Sequence, residues 1–563
     1  EEIDSLLGLF EQKQTGVPSR AKYRLKFDME TNLRAVNKET GILEEFSIKD
    51  LQERDAEQVF TLYANEMSGR IALAKKGIKS ETDFEQLINQ AANYAQNQGV
   101  GKTRQRNRKR IKKEEQVLRT LHSMILGRRP PDFVEPDGSF MKVLRLIQDF
   151  NFIRLMNQVG FAQFAELGNA VQVGGIRGLI RVMPEFKAMI KRAENGQLTD
   201  PVLRDIEAFY GTGADRMTNQ MINRLDQLET NSPYGRGILD GIQRTADRAK
   251  RITADISGMA PITLGLERGT SRIVMQTLAD MAFSNKSLSL KRMRSLGLGD
   301  DEAKLVFDNF KKHAKLEASY LFKTKKLREI NLQNWDPKAR DVLGIAVARW
   351  TRRAIQQNDL GNLAKFMTQE YGKILVQFRT FMMVSHAKQL LHNIKMRDMR
   401  AFQAMMYSSI SAGLAYTAQQ QIQMIGLSEK EKKERREERL SASAIAKATF
   451  ARSSYAAFIP GTLDTALDFY GPNDYFDGFG SYRSSGLESN FLTGNPSYQI
   501  VFGASGIESS LKSISRATLN PNIQMTQGRA RSLLTALPYS NAIGVQNALR
   551  IATEDLPTES RVD

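Results

Sequence analysis

No proline occurs between Pro18 and Pro130 or between Pro337 and Pro460, and this constrains the fold more than any single motif does. Proline breaks a helix interior and pushes the residue before it toward extended backbone, so long proline-free stretches are open to continuous helix. Both stretches are rich in Ala, Leu, Met, Gln, Glu, Lys and Arg, the residues that lose least on entering a helix. The expected fold class is mainly α, an elongated multi-domain helical protein with a loop-rich C-terminal region. Helix-start signals agree. Thr82-Asp83-Phe84-Glu85 and Ser428-Glu429-Lys430-Glu431 have capping-box spacing, and Asp200-Pro201 and Asp336-Pro337 set a capping side chain before a first-turn proline. Strand signals are few, the best being Tyr498-Gln499-Ile500-Val501-Phe502.

Turn and breaker residues divide the chain. Gly127 to Gly138, with Arg128-Arg129-Pro130-Pro131-Asp132 at its centre, reads as a linker, and a second break falls around Asn331–Pro337. The expected regions are an N-terminal helical part, 1–129, a middle helical domain, 130–336, a Met-rich helical domain, 337–470, and a loop-rich end, 471–563. Beyond Tyr470 the texture shifts to Gly, Asn, Ser and aromatic residues, with short helices expected near 505–516 and 540–552. No fixed-period repeat is present.

Composition bounds the function. Charged residues make up 26% and hydrophobic ones 41% of 563 residues, and the mean hydropathy is −0.41, which suits a folded chain with sizeable cores. The net charge of +18 favours a polyanionic partner, either DNA or an anionic membrane face. With no cysteine there is no disulfide framework, thiolate metal site or cysteine nucleophile. The four histidines, His122, His313, His386 and His392, offer little for metal or base chemistry, and no cofactor is expected. Glu1 is followed by no basic n-region and apolar h-region, so no signal peptide is expected, and the chain reads as processed or as part of a longer polypeptide.

Three motifs invite chemistry. Gly99-Val100-Gly101-Lys102-Thr103 approaches a phosphate loop, but the first glycine of that motif would stand at Gln96 and no apolar strand precedes it. Ser385-His386-Ala387-Lys388 has the spacing of a Ser–Lys acyl-enzyme pair, without its companion motifs and within an otherwise apolar helix. The run from Lys102 to Lys113 is different. It carries Lys102, Arg104, Arg106, Arg108, Lys109, Arg110, Lys112 and Lys113 with no acidic residue, and can neutralise phosphates by sequence-blind, salt-sensitive contact. The alternative is a solvated charge run, or an arm for the acidic surface of a neighbouring subunit. It holds no aromatic residue, so base stacking is not expected there.

From Ala401 to Ser428 no residue is charged, a length that on a helix reaches across a hydrocarbon core. Its many Gln, Ser and Thr residues are too polar for a single-span anchor, whereas small residues suit close helix contact. A buried subunit interface is therefore favoured, with insertion as an oligomer left open. The candidate interface residues are Phe378, Phe381 and Met382 on the preceding apolar helix, with Ser408, Ser411, Ala412 and Ala415. Glu429 to Arg439 is a dense mixed-charge helix, with Glu429–Lys433 and Glu431–Arg435 spaced for pairing, and reads as a spacer.

The order of these elements resembles the C-terminal portion of the large internal virion (core or ejection) protein of short-tailed bacteriophages, the podoviruses. The resemblance rests on Phe378-Arg379-Thr380-Phe381, Ser385, Lys388, Met396-Arg397-Asp398, Ala401-Phe402, Ala412-Gly413-Leu414-Ala415-Tyr416, the 429–439 charge run and Arg452-Ser453-Ser454. Gln158 to Asn169, running on to Gly174-Gly175 and Pro184, is similar to a further segment of these proteins. The resemblance implies a homo-oligomer in the capsid core, stacked with other internal virion proteins on the portal. It also implies ejection into the host envelope, contact with the host inner membrane, and a conduit for double-stranded DNA bound non-specifically. No catalytic residue comes with it. The lytic transglycosylase domain that such proteins often carry is not visible in this segment, so no enzyme activity is expected. Two rivals stand beside this reading. One is a DNA-binding or scaffolding virion protein with no membrane role, and the other is a remnant of a peptidoglycan-degrading ejection protein whose lytic domain lies outside this chain.

Overall fold

A computed structural model of the chain describes residues 32–36, 43–47, 56–96, 102–127, 139–156, 163–172, 174–175, 200–210, 238–284, 288–318, 325–355, 367, 372, 375–467, 475–476, 479, 495–501, 539, 545–553 and 556–557. The described residues are mostly helical, with two short antiparallel hairpins. They form two compact units, one from Glu1–Pro136 with Glu229–Gly235 and the other from Asp137–Leu228 with Arg236–Asp563. The expected linker at 128–138, the glycines of the phosphate-loop near-match, the helix at 505–516 and most of 471–494 lie outside the described residues.

The first unit holds β1 (Asn32–Val36) paired with β2 (Leu43–Ser47), then α1 (Ala56–Lys75), α2 (Glu81–Gln96) and α3 (Lys102–Ile125). The start of α2 differs from the expected Thr82–Glu85 box. Ser80 Oγ accepts from the Asp83 N–H at 3.1 Å, and an Asp83 carboxylate oxygen accepts from the Ser80 N–H at 3.0 Å. Thr82 already lies inside the helix, so the side chains that satisfy the open N–H groups are those two positions earlier. Glu85 is thereby left to pair with Arg119 of α3 in a two-pronged contact, beside Phe84 stacked on His122 with ring centroids 3.9 Å apart. Gly69 of α1 meets the Ile125 carbonyl so closely that a Cβ there would stand 2.2 Å from it.

The second unit is built around α7 (Met259–Phe283), a helix buried on nearly every side. Packed around it are α5 (Pro201–Tyr210), α8 (Leu290–Leu296), α9 (Asp300–His313), the hairpin of β3 (Lys315–Ala318) and β4 (Lys325–Glu329), and α10 (Pro337–Ala354). Charged side chains on a fully buried helix need partners. Arg268 finds Glu207 at 2.5 Å, Arg272 finds Asp200 at 3.0 Å and the Leu327 carbonyl, and Gln276 pairs with the backbone of β4 on both sides. The break expected at 331–337 is a turn inside this core and separates nothing. Trp335 is 3% exposed, packs edge-on against Phe310 from the preceding helix, and shares one apolar cluster with Trp350 from the following one.

A second cluster joins Phe152 and Met156, from α4 (Ser139–Leu155) and just beyond it, to Ala254 of α6 (Ile238–Ile256), Met259, Leu264 and Phe378. Beyond it come α11 (Thr380–Ser385), a π-helical turn (His386–Leu391) and α12 (His392–Met396), followed by α13 (Met399–Gln423), α14 (Glu429–Arg439), α15 (Ala442–Arg452) and α16 (Phe458–Leu467). The expected strand at 498–502 is instead helix, α17 (Pro496–Val501). Asn495 Oδ1 accepts from the Ser497 N–H at 2.9 Å, so Asn495-Pro496 is a cap followed by a first-turn proline, and this overrides the β-branched run after it. The last described helix is α18 (Val545–Ala552).

Candidate nucleic-acid interface and assembly helix

All eight basic side chains of the 102–113 run are exposed, and all lie on α3. Lys102, Arg106, Lys109 and Lys113 follow helical spacing and share one face, about 17 Å long at 1.5 Å per residue. Arg104 and Arg108 lie on another side, beside the narrow strip where Ile111 is buried. One acidic neighbour enters the run from downstream, Glu114, whose carboxylate accepts from Arg110 Nε at 2.7 Å. The last turns of α3 are anchored by Arg119, His122 and Ile125 to α2 and α1. Cations in the first turns of a helix oppose its macrodipole and cost about 0.3–1 kcal/mol each. Helix stability therefore does not account for a basic residue at the first position of α3, Lys102.

The charge-free segment is a single helix, α13, and its small residues are used within the chain. Ser408 and Ala412 are buried against the 3₁₀ turn Phe164–Ala170 and against α15. Gly168 of that turn lies on the α13 backbone, where a Cβ would stand 2.1 Å from Ser408 N. Ser408 Oγ donates to the Ala165 carbonyl at 3.0 Å and lies 2.8 Å from Ser454 Oγ. Asn169 Nδ2 donates to Ser454 Oγ at 2.8 Å, and Ser385 Oγ donates to the Ser454 carbonyl. Phe378 and Met382 are likewise buried in the chain's own core, with Phe381 packed against its edge. Phe378 has φ +62°, a left-handed backbone costing about 1–2 kcal/mol in a non-glycine residue and held by that burial. Of the expected interface set, only Phe381, Ser411 and Ala415 stay partly exposed.

The surface that α13 does offer is another stripe, Phe402, Met406, Ile410 and Leu414, each 40% to 68% exposed. Their i, i+4 spacing is readable from sequence, but apolar residues lie on more than one side of this helix, and only the packing tells which side is covered. Asp398 caps the helix by accepting from the Ala401 N–H at 2.8 Å, and both its oxygens receive Arg292 of α8 at 2.5 Å. Arg292 is 1% exposed, and its remaining arm donates to the Gln172 carbonyl. This contact and the capping N–H hold the Asp398 carboxyl below the usual carboxylate range.

No protein family, curated protein or solved structure matches the chain. Ser385 is fully buried, with Oγ engaged to Gln389 and Ser454, and Lys388 is 9% exposed, so among the described residues both members of the Ser–Lys spacing are packed within the fold. Burial, with Arg353 nearby, pushes His392 down to about 3, and its ring stands edge-on to Trp350. Among the described residues no cluster of three or more His, Cys, Asp or Glu side chains forms a metal site, and no helix is long and apolar enough to cross a membrane. In α14 no residue is buried, and Glu429 pairs with Lys432 at 2.7 Å, one position short of the expected Lys433. Arg435 reaches back to Gln420 and Gln423 of α13.

Proposed function

We propose that this chain is an internal core and ejection protein of a short-tailed phage. In this reading it self-associates inside the capsid with the other internal virion proteins on the portal, leaves ahead of the genome, and joins a conduit across the host envelope, inner membrane included. Double-stranded DNA then passes along it. The observation that carries the reading is the cationic segment of α3, with eight exposed basic side chains on one helix of a chain whose net charge is +18. DNA in transit presents every sequence in turn, so a surface that guides it must bind backbone charge and not base edges. The convergence of Asn169, Ser385 and Ser454, all among the residues on which the resemblance rests, in one buried contact adds support. The work of the chain in this account is binding and assembly, not catalysis.

Replacing Arg104, Arg106, Arg108 and Arg110 by Gln is expected to weaken binding equally for unrelated duplexes. The dependence of log affinity on log salt should flatten by about three to four, close to one for each lost phosphate contact, with Arg110 contributing least because Glu114 already engages it. Titrations of two unrelated duplexes between 50 and 200 mM salt check this. An unchanged affinity and slope would remove α3 from the DNA path.

A further inference from the structure

Cations on a single face could hold a helix to one strand of a duplex, but those of α3 stand on three sides. At about 3.6 residues per turn, Arg106 and Arg110 form one row, and Arg104, Arg108 and Lys112, each four residues from the next, form a second that points about 180° away around the axis. Lys102, Lys109 and Lys113 run along the side between the two rows. All eight are exposed. The fourth side turns inward, with Asn107 half-buried and Ile111 8% exposed. The two acidic residues after the run are engaged by neighbours, Glu114 by Arg110 at 2.7 Å and Glu115 by Arg119 at 3.0 Å. The contacts of α3 with α2, Arg119 to Glu85 and His122 on Phe84, come near its far end, so the three basic sides face solvent.

We infer that α3 lies in the major groove of B-form duplex DNA, with Arg106 and Arg110 on the phosphates of one strand and Arg104, Arg108 and Lys112 on those of the other. The lysine row then points toward the groove floor. This deepens the DNA contact of the proposed function and rests on it. Width decides the groove. A helix with its side chains is about 10–12 Å across, which the major groove at about 12 Å admits and the minor groove at about 6 Å does not. The opposed rows decide the orientation, because a helix laid across one backbone would leave one row in solvent, whereas a helix in the groove has a phosphate chain on either side. The row between them is lysine alone, a compact charge without arginine's fixed fork, which suits a surface that must accept every sequence. RNA duplexes fit poorly, their A-form major groove being deep and narrow. A single strand fits no better, since the run offers no aromatic platform.

Titrating the full chain with two duplexes of one sequence tests this, the first plain and the second with every cytosine replaced by glucosylated 5-hydroxymethylcytosine. The sugar fills the major groove and leaves the backbone charge unchanged. Affinity for the glucosylated duplex should be lower by about tenfold or more, since contacts to both strands are lost, and netropsin in the minor groove should not displace the chain from the plain one. Two paired variants read the straddle. Arg108→Gln with Lys112→Gln should flatten the slope of log affinity against log salt by about two, and Arg106→Gln with Arg110→Gln by about one to two, because Glu114 already engages Arg110. Equal affinity for the two duplexes, displacement by netropsin, or a slope that answers to one pair alone would overturn the groove inference and leave sequence-blind DNA binding in place. A chain with no salt-sensitive affinity for the plain duplex would overturn both.

Discussion

Gly168→Ala is expected to cost the second unit about 3 kcal/mol or more, at or above the top of the usual overpacking range. The added methyl would stand 2.1 Å from the Ser408 amide nitrogen and 2.5 Å from its Cα. These are backbone atoms of a helix, which cannot swing aside as a long side chain can. The 3₁₀ turn would have to lift off α13, taking with it the Asn169–Ser454 and Ser408–Ala165 hydrogen bonds. Gly241→Ala is the matched control. Its Cβ meets nothing within 4 Å, and the residue lies inside α6, so exchanging Gly for Ala should stabilise by about 0.5–1 kcal/mol. Both tryptophans of the chain, Trp335 and Trp350, are buried in the second unit. Urea titration of their emission therefore reports that unit alone, and the two midpoints should move in opposite directions. A wild-type midpoint for Gly168→Ala would show that the turn is not seated on α13.

The second large effect is expected at Asp398. Removing its carboxylate leaves the Arg292 guanidinium, 1% exposed, with the neutral Gln172 carbonyl in place of a counter-charge, and an uncompensated buried charge costs about 3–5 kcal/mol. Asp398→Ala also removes the α13 cap, worth about 1 kcal/mol more. Arg292→Met should cost less, because Asp398 is itself 34% exposed and can be hydrated. The double variant should recover part of the Asp398→Ala loss. The pH dependence has a defined sign. Arg292, then the Ala401 N–H, holds the folded carboxyl below its unfolded value, near 3.9 in an open chain. As pH falls the unfolded chain takes up the proton first, so the contribution is fully present above about pH 5 and is lost as pH drops through and below 4. Wild type should therefore lose more stability than Asp398→Asn between pH 5 and 3, read from the same tryptophan emission. Parallel curves would show that the ion pair carries no linkage.

Local signals made the helical class legible. Asp336 accepts from the Lys338 and Ala339 N–H groups, Asp200 from Val202, and Ser428 with Glu431 forms a full capping box, all where residue chemistry alone places them. The misreadings share one cause, competition between signals that sequence cannot rank. At 495–501 a cap and proline outweighed a β-branched run, and at 80–85 two overlapping boxes were available and the earlier one formed. The paired strands at 32–36, 43–47, 315–318 and 325–329 are only four or five residues long and charged, so the alternation of Asn32-Leu33-Arg34-Ala35 and of Lys315-Leu316-Glu317-Ala318 is too brief to mark a strand by itself.

The candidate site shows the same limit at the tertiary level. Exposure of the α3 cations follows from their chemistry, since a run so charged has no buried alternative. The faces of α13 do not follow. Small residues suit a contact within the chain as well as one between chains, and only the presence of Gly168 and Ser454 against Ser408 and Ala412 decides that those positions are occupied. That leaves Phe402, Met406, Ile410 and Leu414 as the exposed apolar stripe of α13, residues that in sequence look like ordinary core.

Following the chain itself through infection tests the ejection account most directly. Particles carrying it with an isotopic label would be treated with external protease, adsorbed to host cells, and the cells fractionated after genome entry. The account expects the chain to be protected inside intact particles and then recovered in the envelope fraction, with the emptied particles depleted of it. A chain that stays with the emptied particles, or that mature particles never contain, would contradict it.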